Sequence, residues 1–451
     1  MAAQKHIIGR HLLLLKLPHT YNNKAALSIA EDMEKETVLP ILGSVFDGME
    51  QNRVRIEKLQ VKIVCNQADF ENGAWKEMLR KNITEAIKKN TENYPERGKN
   101  DTLSTEEEAF VFYLINGCLP WWFDKEIVSN IGFRQWVREV WKQWVQNVPN
   151  FKQPSFVWTN QAIQRLGNYI DAADVKFWIV NWYQQGIAKE IRLILEILGD
   201  SQASKSGKAQ KSFQAVKLKL ITNIIRFYDN QEGFVSFLRE MVKQSLKKDY
   251  PIVKAPTQVA KHEELLEEKN KQLFPSEKIV NNLQDNDLFI PNAGMVLLAN
   301  YLPRLFENLK ISNDKLMLEK DKALLLLQYL CWENDNNDEQ DWPLFKILCG
   351  LPIDAALNAG AKITSLEKQE ADKMLAAAIA YWKALKNTTP NGLRATFLQR
   401  EGRLRVDESS SRVTLLIQNE TVDVLLDSLP WSFGYIRLPW MKQLLQTNWI
   451  N

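Results

Sequence analysis

The period of hydrophobic positions changes along the chain, and each change predicts a different kind of element. Residues 6–17 resemble a strand. Residues 54–64, "VRIEKLQVKIV", alternate again: Val54 and Ile56, then Leu59, Val61 and Ile63, with the phase slipping once near Glu57 and Lys58 as a bulge would make it. Within residues 25–49, Ala30, Val38, Ile41, Leu42, Val45, Phe46 and Met49 lie on one helical face, and a second helix is expected over 71–90. The polar stretch "NTENYPERGKND" at 90–101 holds Pro and Gly and reads as a linker.

From about 103 to 248 the period stays helical. "STEEEAFVFYLINGC" opens on a capping signal, Ser104 or Thr105 ahead of glutamates at the positive end of the helix dipole, and stops at Gly117 before Pro120. In "FRQWVREVWKQWVQNV", Phe133, Trp136, Val137, Val140, Trp141, Trp144, Val145 and Val148 make one apolar stripe that needs a partner. Candidate partners are helices near 174–199, 213–228 and 234–247, with "GDSQASKSGKAQK" as a linker between the first two. A charged connector over 247–272 reads as a solvated tether.

Helical spacing returns in "IPNAGMVLLANYLPRLFENL" and near 320–331 and 366–386, the last aligning Ala371, Met374, Leu375, Ala378, Trp382 and Leu385. Beyond Pro390, "TFLQREGRLRVDESSSRVTLLIQNETVDVLL" predicts two or three short strands with "DESSS" as a turn. The patterns together predict an α+β protein, mostly α. An N-terminal β-α-β-α module occupies 1–95, a central helical bundle 102–248 and a charged linker 249–285. The C-terminal α+β domain, 286–451, runs from helices into a small antiparallel β-sheet.

Composition narrows the function classes. A net charge of +3 over 451 residues supplies no basic field and argues against a nucleic-acid partner. No stretch approaches the ~20 apolar residues of a membrane span. The apolar run Leu12 to Leu15 is too short for a secretion signal, so a protein made and kept in the cytosol, with no membrane insertion, is expected. Cys65, Cys118, Cys331 and Cys349 form no CxxC pair and read as reduced, buried thiols.

Candidate chemistry is absent at each place where it could be sought. "SKSGKAQ" at 204–210 approaches a phosphate-cradling loop, but Gln202 stands where that loop needs Gly and Ala209 where it needs Ser or Thr. His6 and His11 fall on opposite faces of the first expected strand, and His19 and His262 have no ligand-spaced neighbour. The acidic runs at 106–108 and 333–341 lack the order of a calcium loop. No catalytic residues, cofactor or metal are expected, and the chain is not read as an enzyme.

Leu-Pro-Trp occurs three times, at Leu119-Pro120-Trp121, Leu429-Pro430-Trp431 and Leu438-Pro439-Trp440, the first followed by Trp122. Leu, Pro and Trp offer apolar area, a fixed φ and one indole donor, which suits packing or docking rather than catalysis. Such segments are expected to close helices or strands and lay indoles across neighbouring elements. Trp122→Ala would then cost ~3 kcal/mol or more as a core truncation.

The ordered blocks "NAGMVLLANYLPRLFENL", "KALLLLQYL", "FKILCGLPI", "AIAYWKALKNTTPNGLRATFLQREGRL" and "LLDSLPWSFGYIRLPWM" resemble the tape measure proteins of bacterial contractile injection systems, which are phage-tail-like particles. "HIIGRHLL", "VRIEKLQVKI" and "FYLINGCLPWW" resemble that family's N-terminal region. The matching positions include Leu119, Pro120, Trp121, Trp122, Gly350, Pro352, Trp382, Gly392, Arg394, Phe397, Arg400, Glu401 and Gly402, with Pro430, Trp431, Pro439 and Trp440 near the end. The resemblance implies a noncatalytic assembly protein that controls tube and sheath length. Its implied partners are inner tube, baseplate or spike proteins, with a homo-oligomer open as well, and its implied place is the cytoplasm during assembly and then the tube lumen. The alternative is a protein-binding adaptor or chaperone-like effector-loading factor of the same particle. As one helix, residues 126–290 would reach at most ~250 Å, but their one-sided stripes predict a bundle that folds back on itself.

Overall fold

The computed structural model describes residues 32–48, 59–65, 67–93, 105–120, 122–147, 158–182, 207–226, 231–246, 288–313, 315–334, 339–358, 361–407 and 412–450, with Leu13 and Ala30 besides. The chain divides into two compact units, Met1–Leu103 and Ser104–Asn451.

In the first unit, helix α1 (Leu39–Asp47) carries Pro40 in its first turn, where no backbone N–H is needed. Its residues Ile41 and Leu42, with Val38 just before it, are buried with Trp75, Leu79, Ile83 and Ile87 of α3 (Ala74–Asn93), which follows the short α2 (Gln67–Glu71). Except for Leu13, the strand expected over 6–17 lies outside the described residues, as do residues 54–58 of the second. Residues 59–65 form neither helix nor paired strand among the described residues. The alternation there still serves packing, because Leu59, Val61 and Ile63 lie against the helix pair.

The second unit opens with helices whose apolar faces meet. They are α4 (Thr105–Asn116), α5 (Lys125–Ile131), α6 (Phe133–Asn147), α7 (Asn160–Tyr169) and α8 (Ala172–Trp182), then α9 (Gly207–Arg226) and α10 (Gln231–Leu246). The predicted stripe of α6 is buried from Phe133 through Trp144, packed against α4 and α8. Helix α9 begins inside the stretch expected as a linker at 199–211. Lys, Ala and Gln there are good helix formers, and the helix carries on to bury Val216, Leu220, Ile221 and Ile224.

The remainder of the unit is organised around α12 (Lys320–Trp332), buried all round from Ala323 to Cys331 and therefore central to its core. A 3-10 helix, Ala293–Tyr301, runs into α11 (Leu302–Asn308) and is buried on every side from Ala293 to Ala299. Helices α13 (Pro343–Leu348), α14 (Ser365–Tyr381) and α15 (Pro390–Leu393) complete the layer. Thr364 and Glu367 close a reciprocal cap on α14: Glu367 N donates to Thr364 Oγ1 at 3.2 Å and Thr364 N to Glu367 Oε2 at 2.6 Å.

Among the described residues five strands form one sheet in the order β1-β2-β3-β5-β4, built from β1 (Leu288–Ile290), β2 (Gly402–Asp407), β3 (Arg412–Gln418), β4 (Tyr435–Ile436) and β5 (Leu444–Ile450). The sheet is mixed, not antiparallel as expected, because β3 and β5 run parallel with Val413 opposite Leu445. Parallel neighbours need a crossover of a dozen or more residues, and the segment from Asn419 to Gln443 provides it. That segment includes "TVDVLL", which forms a 3-10 helix, Thr421–Ser428, rather than a strand. Its burial runs opposite to the strand expectation: Val424 is 68% exposed while Asp423 is buried.

Candidate structural site: tryptophan latches and a buried charge cluster

The two C-terminal Leu-Pro-Trp segments lie in the β3–β5 crossover, and each places its indole on a backbone carbonyl of another element. Trp440 Nε1 donates to Leu348 O at 2.8 Å, at the end of α13, and its ring stacks on Phe306 at 5.5 Å. Gly350, the second residue past that helix, has φ +69°, and a Cβ there would come within 2.5 Å of Trp440 O. Only glycine permits both the turn and the approach. Trp431 Nε1 donates to Leu297 O at 2.8 Å, and its ring meets Tyr301 edge-on at 5.1 Å and Tyr381 face to face at 5.9 Å. Pro430, Pro439 and Pro352 are exposed, consistent with proline setting turns rather than filling the core.

Other predicted positions also meet. Trp382 Nε1 donates to Leu425 O at 3.2 Å, and its ring packs on Phe397 at 4.8 Å. Arg394, 3% exposed, reaches Leu330 O at 3.1 Å, Asn391 Oδ1 at 2.6 Å and Asp372 Oδ1 at 3.3 Å. Arg400 grips Asp423 with both terminal nitrogens, at 2.7 and 2.9 Å, while Trp449 Nε1 donates to the same carboxylate at 2.8 Å. Burial alone would raise the Asp423 pKa, but Arg400 and the donors from Glu420 N and Trp449 outweigh it and hold the carboxyl below its ordinary value. Gly392 N donates to the capping Thr389 Oγ1, Gly402 is buried in β2 and Glu401 is exposed.

The first Leu-Pro-Trp segment behaves differently. Leu119 and Pro120 are buried, and Trp121 lies outside the described residues. Trp122 is half-buried, edge-on to Phe123 at 6.5 Å. Its truncation therefore removes less buried area than the core value expected from sequence.

A buried charge cluster, which sequence spacing did not assemble, sits beside that segment. Arg165 of α7 and Lys346 of α13, both 0% exposed as side chains, converge on Glu339 Oε1 at 3.0 and 2.8 Å. Arg165 also donates to Leu114 O, Ile115 O and Asp354 O, and Lys346 to Ile353 O. The cluster thus ties the C-terminal end of α4, α7, and the loop after α13 together. Gly117 is where it passes the chain: φ is +72°, and a Cβ would lie within 2.9 Å of Arg165 Nη2, Lys346 Nζ and Glu339 Oε1. Burial lowers the Lys346 pKa against the opposing pull of Glu339. Burial also pushes the neighbouring Cys118 thiol up to about 11. Cys331 and Cys349 are buried too, whereas Cys65 is exposed, contrary to expectation. A signal existed: Arg165 shares the helical face of Ala162, Ile163, Leu166 and Tyr169, and Lys346 interrupts the apolar run Leu344 to Leu348. A charge on an apolar face is rare unless paired.

Among the described residues no group of His, Cys, Asp and Glu could hold a metal ion, and no helix is long and apolar enough to cross a membrane. The four histidines and residues 204–206 lie outside the described residues, and residues 207–210 are helical.

The arrangement is that of a protein whose distinctive residues brace one element against another. A family model for the contractile injection system tape measure protein matches residues 5–449, and the chain belongs to that family. The family is a structural one. No curated protein and no solved structure matches the chain.

Proposed function

We propose that the protein is a noncatalytic length-control and assembly component of a contractile injection particle. It contacts the inner tube and the baseplate or spike through its terminal regions, near 1–95 and 286–451, and acts in the cytoplasm during assembly and then in the tube lumen. The observation that carries this reading is the family match, which runs through nearly the whole chain. The latches support it as well, since positions such as Gly350, Trp382, Arg394, Arg400 and Trp440 build the scaffold of the C-terminal region. The helical middle, 102–248, contributes packed helices instead of a single rod, so length is set by the folded helices or by their opening during assembly. Shortening the 126–290 region and imaging the particles tests this. Tube length that falls in proportion to the deletion supports length control, whereas normal tubes of unchanged length would rule it out.

A further inference from the structure

The apolar core of residues 288–450 is nearly separate from that of α4–α10. Among the described residues, Cys118 is the one buried hydrophobic side chain from 105–246 that lies within it, with Phe112 partly buried against it. Trp136, Trp141, Trp144 and Trp178 are buried among their own aromatic neighbours on the other side. What lies between is polar. Gln164 and Asn168, one turn apart on α7, both donate to Leu357 O, at 3.0 and 2.8 Å. Arg165, between them in sequence, donates to Asp354 O and, at 3.0 Å, to Glu339 Oε1. Glu339 Oε2 is buried and has no hydrogen-bond partner. A cavity of about 250 Å³ lies between the two sides as well, with Gln161 and Gln164 on one wall and Asp321, Leu324, Pro352 and Ala355 on the other.

Parting two apolar faces exposes area to water with nothing gained in return. Parting these faces instead lets water solvate each carbonyl, amide and ion, including the Glu339 oxygen that has no partner in the closed state. The cavity removes dispersion contacts that would otherwise resist separation. A polar contact of this kind is what joins domains that move against each other, whereas the two apolar cores hold their own elements.

We propose that this joint is a built-in opening point: α4–α10 lift from residues 288–450 with both cores intact, more readily than either core unfolds. The inference rests on the fold and not on the length-control reading. The chain carries its own reporters. Cys118 is 3% exposed at the joint, Cys331 and Cys349 are 0% and 1% exposed inside the C-terminal core, and Cys65 is exposed. The full chain is labelled with iodoacetamide under native conditions, and each thiol is followed by mass spectrometry. Cys65 should react first, and Cys118 at least about tenfold faster than Cys331 and Cys349. Glu339→Gln should speed Cys118 by a further factor of about ten while Cys331 and Cys349 keep their wild-type rates. Hydrogen exchange in that variant should show residues 114–120 and 351–358 losing protection together, with 136–144 and 324–331 unchanged. Equal rates for the three buried thiols, which the wild type alone reveals, would overturn the proposal. So would a Cys118 rate indifferent to Glu339→Gln, or a loss of protection confined to 114–120, which is the fraying of one turn.

Discussion

Tryptophan is used in two ways within the second unit. In residues 105–182 the indoles pack on one another and on phenylalanine: Trp141 meets Trp178 edge-on at 4.5 Å and Trp144 at 5.5 Å, while Phe110 touches Trp136, Trp141 and Trp144. Trp136 Nε1 has no hydrogen-bond acceptor there. In residues 288–450, Trp342, Trp382, Trp431, Trp440 and Trp449 each donate Nε1 to a named acceptor on another segment. The first arrangement is held by area and edge-to-face geometry, which tolerates small shifts; the second fixes position, because a hydrogen bond weakens steeply off its angle. Aromatic bulk can thus build a core without dictating one arrangement, whereas the latched indoles specify where the crossover lies on the helices.

The largest effect should come at the joint between these two regions. Glu339→Ala leaves Arg165 and Lys346 buried without a counter-charge and should cost about 3–5 kcal/mol in denaturant unfolding. The triple variant R165M/E339L/K346M should recover most of that loss. A mild effect of Glu339→Ala would show that the cluster does not brace the regions. Next, Trp440→Phe leaves the buried Leu348 carbonyl unpaired, and it should cost about 1 kcal/mol or more beyond Trp136→Phe, which loses no hydrogen bond. Equal costs would erase the distinction between latch and packing.

Trp122→Ala should cost about 1–2 kcal/mol, below a core truncation, because the side chain is half-buried. Near-normal melting with failed particle assembly would assign Trp122 to docking. The smallest effect is a slope with pH at Lys217, whose buried ammonium donates to Ile170 O at 2.9 Å and whose pKa burial lowers to about 8. The unfolded chain holds this proton up to an ordinary lysine pKa near 10.4, so between those values it binds more protons than the folded chain. Stability from this group rises with pH across that window. Lys217→Met should therefore be stabilising near pH 7 relative to wild type, with the gap narrowing by about 1 kcal/mol by pH 9. A gap independent of pH would place the Lys217 titration elsewhere.

Much of the local structure was legible in the sequence. The spacing from Phe133 to Trp144 predicted both the helix and its buried face, and the alternation at Leu59, Val61 and Ile63 predicted which side packs. Of the candidate positions, Trp431 and Trp440 were legible as anchors, though not the carbonyls they reach. "TVDVLL" misled because its alternation has the strand period, while Asp423 is drawn inward by Arg400 and turned by the Glu420 cap. Periodicity reports which side of an element is apolar, and it is blind to a charge that one distant partner satisfies.

By itself the sequence determined most of the helices, their apolar faces, the turn at Gly117, and the ordered blocks that mark the family. Only the tertiary structure decided the parallel pairing of β3 with β5, the acceptor for each latched indole, and the meeting of Arg165 with Glu339 across 174 positions. The physical reason is range. Hydrophobic period and turn chemistry act between neighbours, whereas these pairings exist only after the chain has closed on itself and water has been excluded from between the partners.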